Sequence, residues 1–349
     1  MAILQNEIID HLLTLIERGK HGDMLPSQNE LRRQFSVSTV TIRKALEKLE
    51  DRGMIFRHQG KGSFIRRPAD ETTESRTFLL ILIPRKFTLA DEFISALVNT
   101  TGKSSCHTIF YHYDDNEEVM FHELQRIAPH AVIWLAPVMF KHEKTLLKLL
   151  AMPLHVILFN RDHKNQSVSC VSGDFSGDGF MLGSQLIRRN VRKVLFLSLD
   201  MRMMFSRGRC EGLKKAVCGA GGGVTVIDAA EIIGSESTDH LEQSYAALSA
   251  AAGKLLAEKD FDAVVCAQGE IWNSMRKAVS LSGQNPDRFW FATFNKLEEE
   301  QIFSQKTVIL DQPIARMAEA AVDLISRLQA GAQPEHLYFS SKLVLPSDR

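Results

Sequence analysis

Residues 25–65 read LPSQNELRRQFSVSTVTIRKALEKLEDRGMIFRHQGKGSFI, and they decide how the first part of the chain folds. Ser27 followed three residues later by Glu30 fits a capping box, so a short helix opens at that serine. Ser38 is then placed to cap a longer helix, which Gly53 stops. Ile42, Ala45, Leu46 and Leu49 make the inward stripe of that helix, while Val40 and Lys44, flanked by Thr41 and Arg43, lie on the other side. Residues 54–65 give two short β-prone runs around Gln59-Gly60-Lys61-Gly62, which predicts a hairpin with a basic tip. Upstream, Ile8, Leu12, Leu15 and Ile16 fall on one stripe of a first helix that ends before Gly19 and Gly22.

Helix, short helix, turn, longer helix and hairpin is the order of a winged helix-turn-helix. A helix of this size fits the major groove of DNA. Its first polar side chains reach base edges, and an arginine can pair with guanine through two hydrogen bonds. The threonine, arginine and lysine content alone fits a solvated helix and an ordinary hairpin equally well.

Working outward, Arg66 to Arg76 reads RRPADETTESR, without one large apolar side chain, which is the composition of a linker. The expected domains are therefore a DNA-binding head at 1–67, a linker at 68–76 and a second domain at 77–349. Lysine plus arginine equals aspartate plus glutamate at 42 each. Residues 1–68 nonetheless hold 12 basic against 8 acidic side chains, so the head is positive and the remainder negative. No apolar run is long enough to span a membrane, and the acidic start (Glu7, Asp10) does not fit a secretory signal. Five scattered cysteines, never two in a Cys-x-x-Cys pair, are read as reduced thiols of a cytoplasmic protein.

From TFLLILI (77–83) onward, short β-rich runs alternate with amphipathic stretches. The runs include 107–113, 131–136, 154–159, 193–199, 224–227, 262–267 and 288–294, and the helix-like stretches include 89–101, 176–189, 208–218 and 313–330. Such alternation predicts parallel sheets covered on both faces by helices. Its length calls for two lobes, drawn at about 77–190 plus 306–331 and about 191–305 plus 332–349. The AGGG at 220–223 is read as a turn, because no helix follows it to bind phosphate. Polar groups gather at the strand ends: Arg161, Asp174, Asp178, Arg207, Arg209, Gln268, Asn295 and Gln312. Singly, each is a helix cap or a solvated loop residue. Together they form a ring of planar donors and acceptors suited to a hydroxyl-rich ligand.

Residues 25–65 resemble the GntR-type winged-helix signature over almost their whole length. The resemblance places Ser27 and Asn29 at the start of the second helix. It puts Ser38, Thr41 and Arg43 at phosphate- and base-contacting positions, with Lys44 beside them, and Gln59, Gly60, Lys61 and Gly62 at the wing tip. Thr39 stands where the family commonly has arginine, so the operator sequence cannot be borrowed from relatives. Roughly residues 77–345 resemble the LacI-type regulator core, which has the periplasmic sugar-binding-protein fold. The passages that carry this are SGDFSGDGFMLGSQLIRRNVRKVLFLS, RGRCEGLKKAV, DAVVCAQGEIWNSMRKAVSLSG and TVILDQPIARMAEAAVDLISRL. The resemblance implies that Arg209, with Gly212, grips sugar hydroxyls and that Asp178 and Gln312 face the ligand. Arg161, in Phe159-Asn160-Arg161, matches an Asp-Arg pair of pentose binders. Gln268-Gly269 replaces the usual Asn-Asp, and Asn295 replaces the usual aspartate. The basic loop Pro84-Arg85-Lys86-Phe87, normally near the effector, favours an anionic sugar derivative unless Lys86 points into solvent.

No catalytic elbow, phosphate loop or zinc-protease motif is present, and His107, His112, His122 and His142 lack metal-ligand spacing. Neither enzyme activity, a cofactor nor a metal is expected. The fold class expected is α/β with a small α+β head: a winged helix-turn-helix, then a two-lobed periplasmic-binding-protein-like clamp of two parallel sheets, in an arabinose-repressor-like architecture. The expected function is transcription repression by a homodimer on a palindromic double-stranded DNA operator, controlled by a sugar or sugar derivative. The rival readings are a clamp that has lost its ligand and only dimerises or binds a protein, and a sugar-modifying enzyme with a DNA-binding module.

Overall fold

In the computed structural model, the described residues are 2–19, 23–51, 54–58, 62–65, 77–84, 90–102, 106–113, 117–137, 143–165, 167–234, 240–297, 302 and 304–345. The chain divides into two units, Met1–Arg76 and Thr77–Arg349.

The first unit holds helices α1 (Ala2–Arg18), α2 (Gln28–Phe35) and α3 (Thr39–Asp51) and the antiparallel pair β1 (Ile55–His58) and β2 (Gly62–Ile65). Ile8, Leu12, Ile16, Leu31, Ile42, Ala45, Leu46, Leu49, Ile55 and Ile65 close one core, so the stripes read from periodicity do meet. The capping box forms in full. The Ser27 amide donates to Glu30 at 2.7 Å and the Glu30 amide to the Ser27 hydroxyl at 3.3 Å. Between α2 and α3, Ser36 takes a left-handed backbone that turns the chain. Leu25 and Ile65 donate amides to the Ser63 and Asp23 carbonyls at 2.9 Å each, so the segment before α2 extends the hairpin.

The second unit is built from two six-stranded sheets. The first has the order β13-β7-β6-β5-β3-β4, all parallel: β3 (Thr77–Pro84), β4 (Cys106–Tyr113), β5 (Ala131–Trp134), β6 (His155–Phe159), β7 (Ser169–Gly173) and β13 (His336–Phe339). Its faces pack on α4 (Ala90–Thr101) and α12 (Ile314–Gln329) on one side and on α5 (Glu117–Ile127) and α6 (Glu143–Leu150) on the other. The second has the order β14-β12-β11-β10-β8-β9: β8 (Lys193–Ser198), β9 (Gly223–Asp228), β10 (Ala263–Cys266), β11 (Trp290–Phe294), β12 (Thr307–Asp311) and β14 (Lys342–Val344), with only β14 antiparallel. It packs on α7 (Phe175–Ile187) and α8 (Met204–Gly219) on one face and, on the other, on α10 (Leu241–Glu258) and α11 (Trp272–Ser282); α9 (Ala229–Ile233) follows β9.

The chain crosses between sheets three times: from β7 to α7, from β12 to α12 and from β13 to β14. The lobe boundaries read from the sequence differ from this. The sequence boundaries place helix α7 in the first lobe, but it buries Leu182 and Leu186 against Val194 and Phe196 of the second. Strand β12, also expected in the first lobe, pairs with β11. Strand β13, expected in the second, pairs with β7. Periodicity marks where an element lies and which way its apolar side faces; it does not say which sheet the element joins. Strands β13 and β14, of 4 and 3 residues, are too short and polar to stand out as apolar runs. At the AGGG segment a turn does form: Gly221 has φ +77° and Gly223 opens β9. Among the described residues no helix is long and apolar enough to cross a membrane.

Helices α7 and α8 touch backbone to backbone because glycines face the contact. A Cβ on Gly179 would run into the Arg209 carbonyl, and one on Gly212 into the Ser176 carbonyl. Gly179→Ala should therefore destabilise the protein by about 1–3 kcal/mol through forced separation of the helices. Gly219→Ala, where a Cβ meets nothing, should be neutral or slightly stabilising. Urea denaturation of both variants checks this, and equal midpoints would overturn it.

Candidate functional site

In the first unit, α3 presents Ser38, Thr39, Val40, Arg43 and Lys44 to solvent, with Thr41 half-buried. The Ser38 hydroxyl accepts the Thr41 amide at 3.3 Å and lies 3.0 Å from the Thr41 hydroxyl, so both hydroxyls cap the helix and each other. The Arg43 guanidinium pairs with Glu47 at 3.5 Å across one turn. On α2, Asn29 is exposed, while the Ser27 hydroxyl is spent in the capping box. Gly62 has φ +120°, a conformation glycine tolerates without strain. Gln59, Gly60 and Lys61 lie outside the described residues. Sequence reasoning passed over Arg32 and Arg33, both exposed in the last turn of α2. The basic doublet was legible, but the helix face it occupies was not. Val40, in the first turn of α3, is an exposed apolar side chain between Thr39 and Thr41.

In the second unit, the polar side chains read from the sequence collect at the C-terminal strand ends. Arg209, one turn into α8, is 2% exposed. Its Nη1 donates to the Ala267 carbonyl at 2.7 Å, and its guanidinium carbon lies 4.5 Å from the Phe294 ring centre and 5.4 Å from those of Phe175 and Phe205. Desolvation brings its pKa down to about 10, opposed by the charges of Asp178 and Glu270, so it stays protonated at neutral pH. Asp178 is fully buried and accepts the Ser341 amide at 2.8 Å and hydroxyl at 2.5 Å. Burial pushes its carboxyl above the usual range, against the Ser341 hydrogen bonds and the nearby Arg209.

Around these two, Gln268 accepts the Ser206 hydroxyl at 3.4 Å, and Gln312 lies against Gly173 at the β12 crossing. Asn295 directly follows Phe294, with φ +74°. Arg161 belongs to the first sheet's strand ends. Its Nε donates to the Ala136 carbonyl at 2.8 Å and its Nη1 to the Asn160 carbonyl at 2.6 Å. Burial lowers its pKa to about 10 as well. The next residue, Asp162, reaches the second lobe, its amide 3.3 Å from Met204 Sδ of α8. Arg209, Asp178, Gln268, Asn295 and Gln312 thus belong to the second sheet's strand ends and its helices α7 and α8, with Gln312 at a crossing, while Arg161 belongs to the first sheet. Lys86 and Phe87 lie outside the described residues.

Six buried side-chain polar atoms lack a hydrogen-bond partner among the described residues, and five are here: Asn160 Oδ1, Arg161 Nη2, Arg209 Nε, Asn295 Oδ1 and Gln312 Nε2. Buried polar atoms are almost always paired, so these five orphans, two after β6 of the first sheet and three on α8 and after β11 and β12 of the second, stand out as unused hydrogen-bonding capacity. The aromatic wall of Phe175, Phe205 and Phe294 was not singled out from the sequence, because each sits in an apolar pattern indistinguishable from core.

Residues 4–65 match the family model of the bacterial regulatory proteins of the gntR family. The chain is 21% identical over 198 residues to the arabinose metabolism transcriptional repressor of Geobacillus stearothermophilus, covering 55% of this chain and 54% of that protein. The match therefore spans about half the length of that relative. A LacI transcriptional regulator from a Rhodococcus species has a similar fold, with TM-score 0.63 and 18% identity over 77% of this chain and 96% of that one. The LacI family regulator CCPA from Weissella paramesenteroides, solved with bound sucrose, gives TM-score 0.60 and 17% identity over 76% and 96%. All three are transcription regulators by name. The chain thus joins a head that matches the gntR family to a unit with the fold of LacI-type regulators.

Proposed function

We propose that the protein is a transcription repressor that binds an operator through its first unit and is controlled by a sugar or sugar derivative held at the strand ends of its second. The observation that carries the ligand reading is the group of five unpartnered buried polar atoms, with two protonated arginines among them. Planar amides and guanidinium groups offer parallel donors and acceptors to neighbouring hydroxyls, and the guanidinium groups also take a carboxylate or phosphate. The aromatic rings around Arg209 supply the apolar contact that the carbon face of a sugar needs. A repressor named for arabinose metabolism and a sucrose-bound neighbour of the same fold support the same class. These orphans weigh against a clamp reduced to dimerisation, since a contact-only surface has no use for them.

The family match and the exposed polar start of α3 support the DNA reading, with Asn29, Thr39, Arg43, Lys44 and the wing residues Gln59, Gly60, Lys61 and Gly62 as contacts. The protein acts as a two-fold dimer on a palindromic site, because one winged helix covers a short half-site. Ligand binding changes the balance between open and closed lobes and, through the dimer, operator affinity.

Two experiments test this. On an operator selected from random duplexes, Arg43→Ala should weaken binding by about 1–3 kcal/mol and relax preference at one base pair. Glu47→Ala should leave binding unchanged or strengthen it by about 0.3–0.5 kcal/mol, since Arg43 no longer has an ion pair to break. Wild-type binding in the Arg43 variant would show that α3 does not read DNA with this face.

For the ligand, a thermal-shift screen of aldoses, sugar acids and sugar phosphates should yield one class that raises the melting temperature saturably. By calorimetry, Arg209→Ala should then weaken that ligand by about 1.5–3 kcal/mol while operator binding without ligand holds. A folded variant with full ligand affinity would remove Arg209 from the site.

A further inference from the structure

At the edge of the first sheet, away from α12, three side chains distant in sequence meet. Cys170 of β7 and His336 of β13 are register partners in a parallel pair, so they rise from the same face. Asp162 enters from the turn after β6. A carboxylate oxygen of Asp162, Cys170 Sγ and a ring nitrogen of His336 all lie within 4.8 Å of one another. Cys170 is fully buried in the core that α5 and α6 help form, while Asp162 is half-exposed and the neighbouring Tyr338 is exposed.

The proton positions make the cluster more than a coincidence of residue types. His336 Nε2 stands 2.9 Å from the Val168 carbonyl, which can only accept, so Nε2 carries a proton and Nδ1 is the ring nitrogen left to bind a cation. Nδ1 faces Asp162 Oδ1 at 3.7 Å and the Tyr338 hydroxyl at 3.5 Å. That hydroxyl already gives its proton to Asp162 Oδ1 at 2.8 Å, and the His163 amide donates to the same oxygen at 2.8 Å. The ring of His163 is turned to its own loop, its Nδ1 accepting the Asn165 amide at 3.0 Å. Nδ1, the Asp162 carboxylate and the Cys170 sulfur thus converge as one nitrogen, one oxygen and one sulfur ligand atom.

We propose that Asp162, Cys170 and His336 form a binding site for a divalent cation of the zinc class, with water as fourth ligand. One oxygen, one nitrogen and one sulfur donor suit a borderline-soft tetrahedral ion. A histidine ligand whose other ring nitrogen donates to a backbone carbonyl is the usual outer-shell support of such a site. Binding exchanges a proton for the metal: the Cys170 thiol and the cation give a metal thiolate and one released proton. The ion ties β13 to the turn that carries Asn160 and Arg161. Because β13 leads to Ser341, which holds Asp178, the cation stiffens two of the segments that line the proposed ligand site.

The test is titration of untagged, EDTA-stripped protein with Co²⁺, followed by competition with Zn²⁺. The expected result is a saturable thiolate-to-cobalt charge-transfer band at one ion per chain, displaced by Zn²⁺, together with a Zn²⁺-dependent rise in melting temperature. The band should vanish in Cys170→Ser and persist in Cys218→Ser, which removes the exposed thiol. Asp162→Asn and His336→Ala should weaken binding by about tenfold or more. Because half-exposed Asp162 tolerates substitution, its variant keeps the test decisive even if Cys170→Ser fails to fold. Absence of the band, its survival in Cys170→Ser, or unchanged affinity in both Asp162→Asn and His336→Ala would overturn the site. In the first case Asp162, Cys170 and His336 would be a polar contact between strand and turn that holds no metal.

Discussion

The buried guanidinium of Arg209 is the constraint on which the second unit's cleft depends. An unpaired cation in an apolar interior costs several kcal/mol, so whatever surrounds it must compensate. Here one backbone carbonyl, three phenyl faces and the nearby Asp178 carboxylate do so, while Nε is left without a partner. Helices α7 and α8 supply Phe175, Phe205 and Asp178 by approaching backbone to backbone. One of the two tightest contacts is at Arg209 itself, whose carbonyl occupies the space that a side chain on Gly179 would need. The glycines that allow this packing therefore also bring Asp178 and Phe175 of α7 up to the arginine. Close packing and charge compensation are one arrangement.

The three chain crossings give that arrangement its mechanical meaning. The first carries Phe175, the second Gln312 and the third Ser341. Phe175 faces Arg209, Gln312 Nε2 is unpartnered, and Ser341 holds Asp178 through two hydrogen bonds. Segments that join two lobes absorb the dihedral changes when the lobes move. A ligand bound to these residues touches the joints directly, and its affinity must differ between open and closed states if the joints differ. That is the condition for a ligand to shift a conformational equilibrium at all.

Much of this was legible in the sequence. The capping box at Ser27, the stripe of α3 and the apolar strands follow from spacing alone, because local propensity and tertiary packing ask for the same residues there. The site residues could be named because polar groups directly after apolar runs stand out. Sheet membership could not be read, since periodicity marks the β12 run but not that it pairs with β11, and β13 is too short to stand out at all. The aromatic cage was hidden for a related reason: a phenylalanine lining a cleft and one filling a core have the same pattern. The Asp162–Cys170–His336 group was invisible because only the β7–β13 register brings its members together.

The two asparagines show how backbone geometry and ligand chemistry act on the same position. Asn160 and Asn295 each follow an apolar strand, each has a positive φ (+53° and +74°), and each holds a buried, unpartnered Oδ1. Left-handed backbone is costly for most residues with a Cβ, and asparagine and aspartate are the side chains that tolerate it best. The turn after the strand thus restricts the choice nearly to those two or glycine. Glycine would give up the polar atom. Aspartate would keep the backbone and add a buried negative charge next to the arginines. Asparagine keeps a carbonyl acceptor and adds no charge beside the arginines. At these two turns one side chain therefore both tolerates the left-handed backbone and leaves a buried acceptor at the strand end.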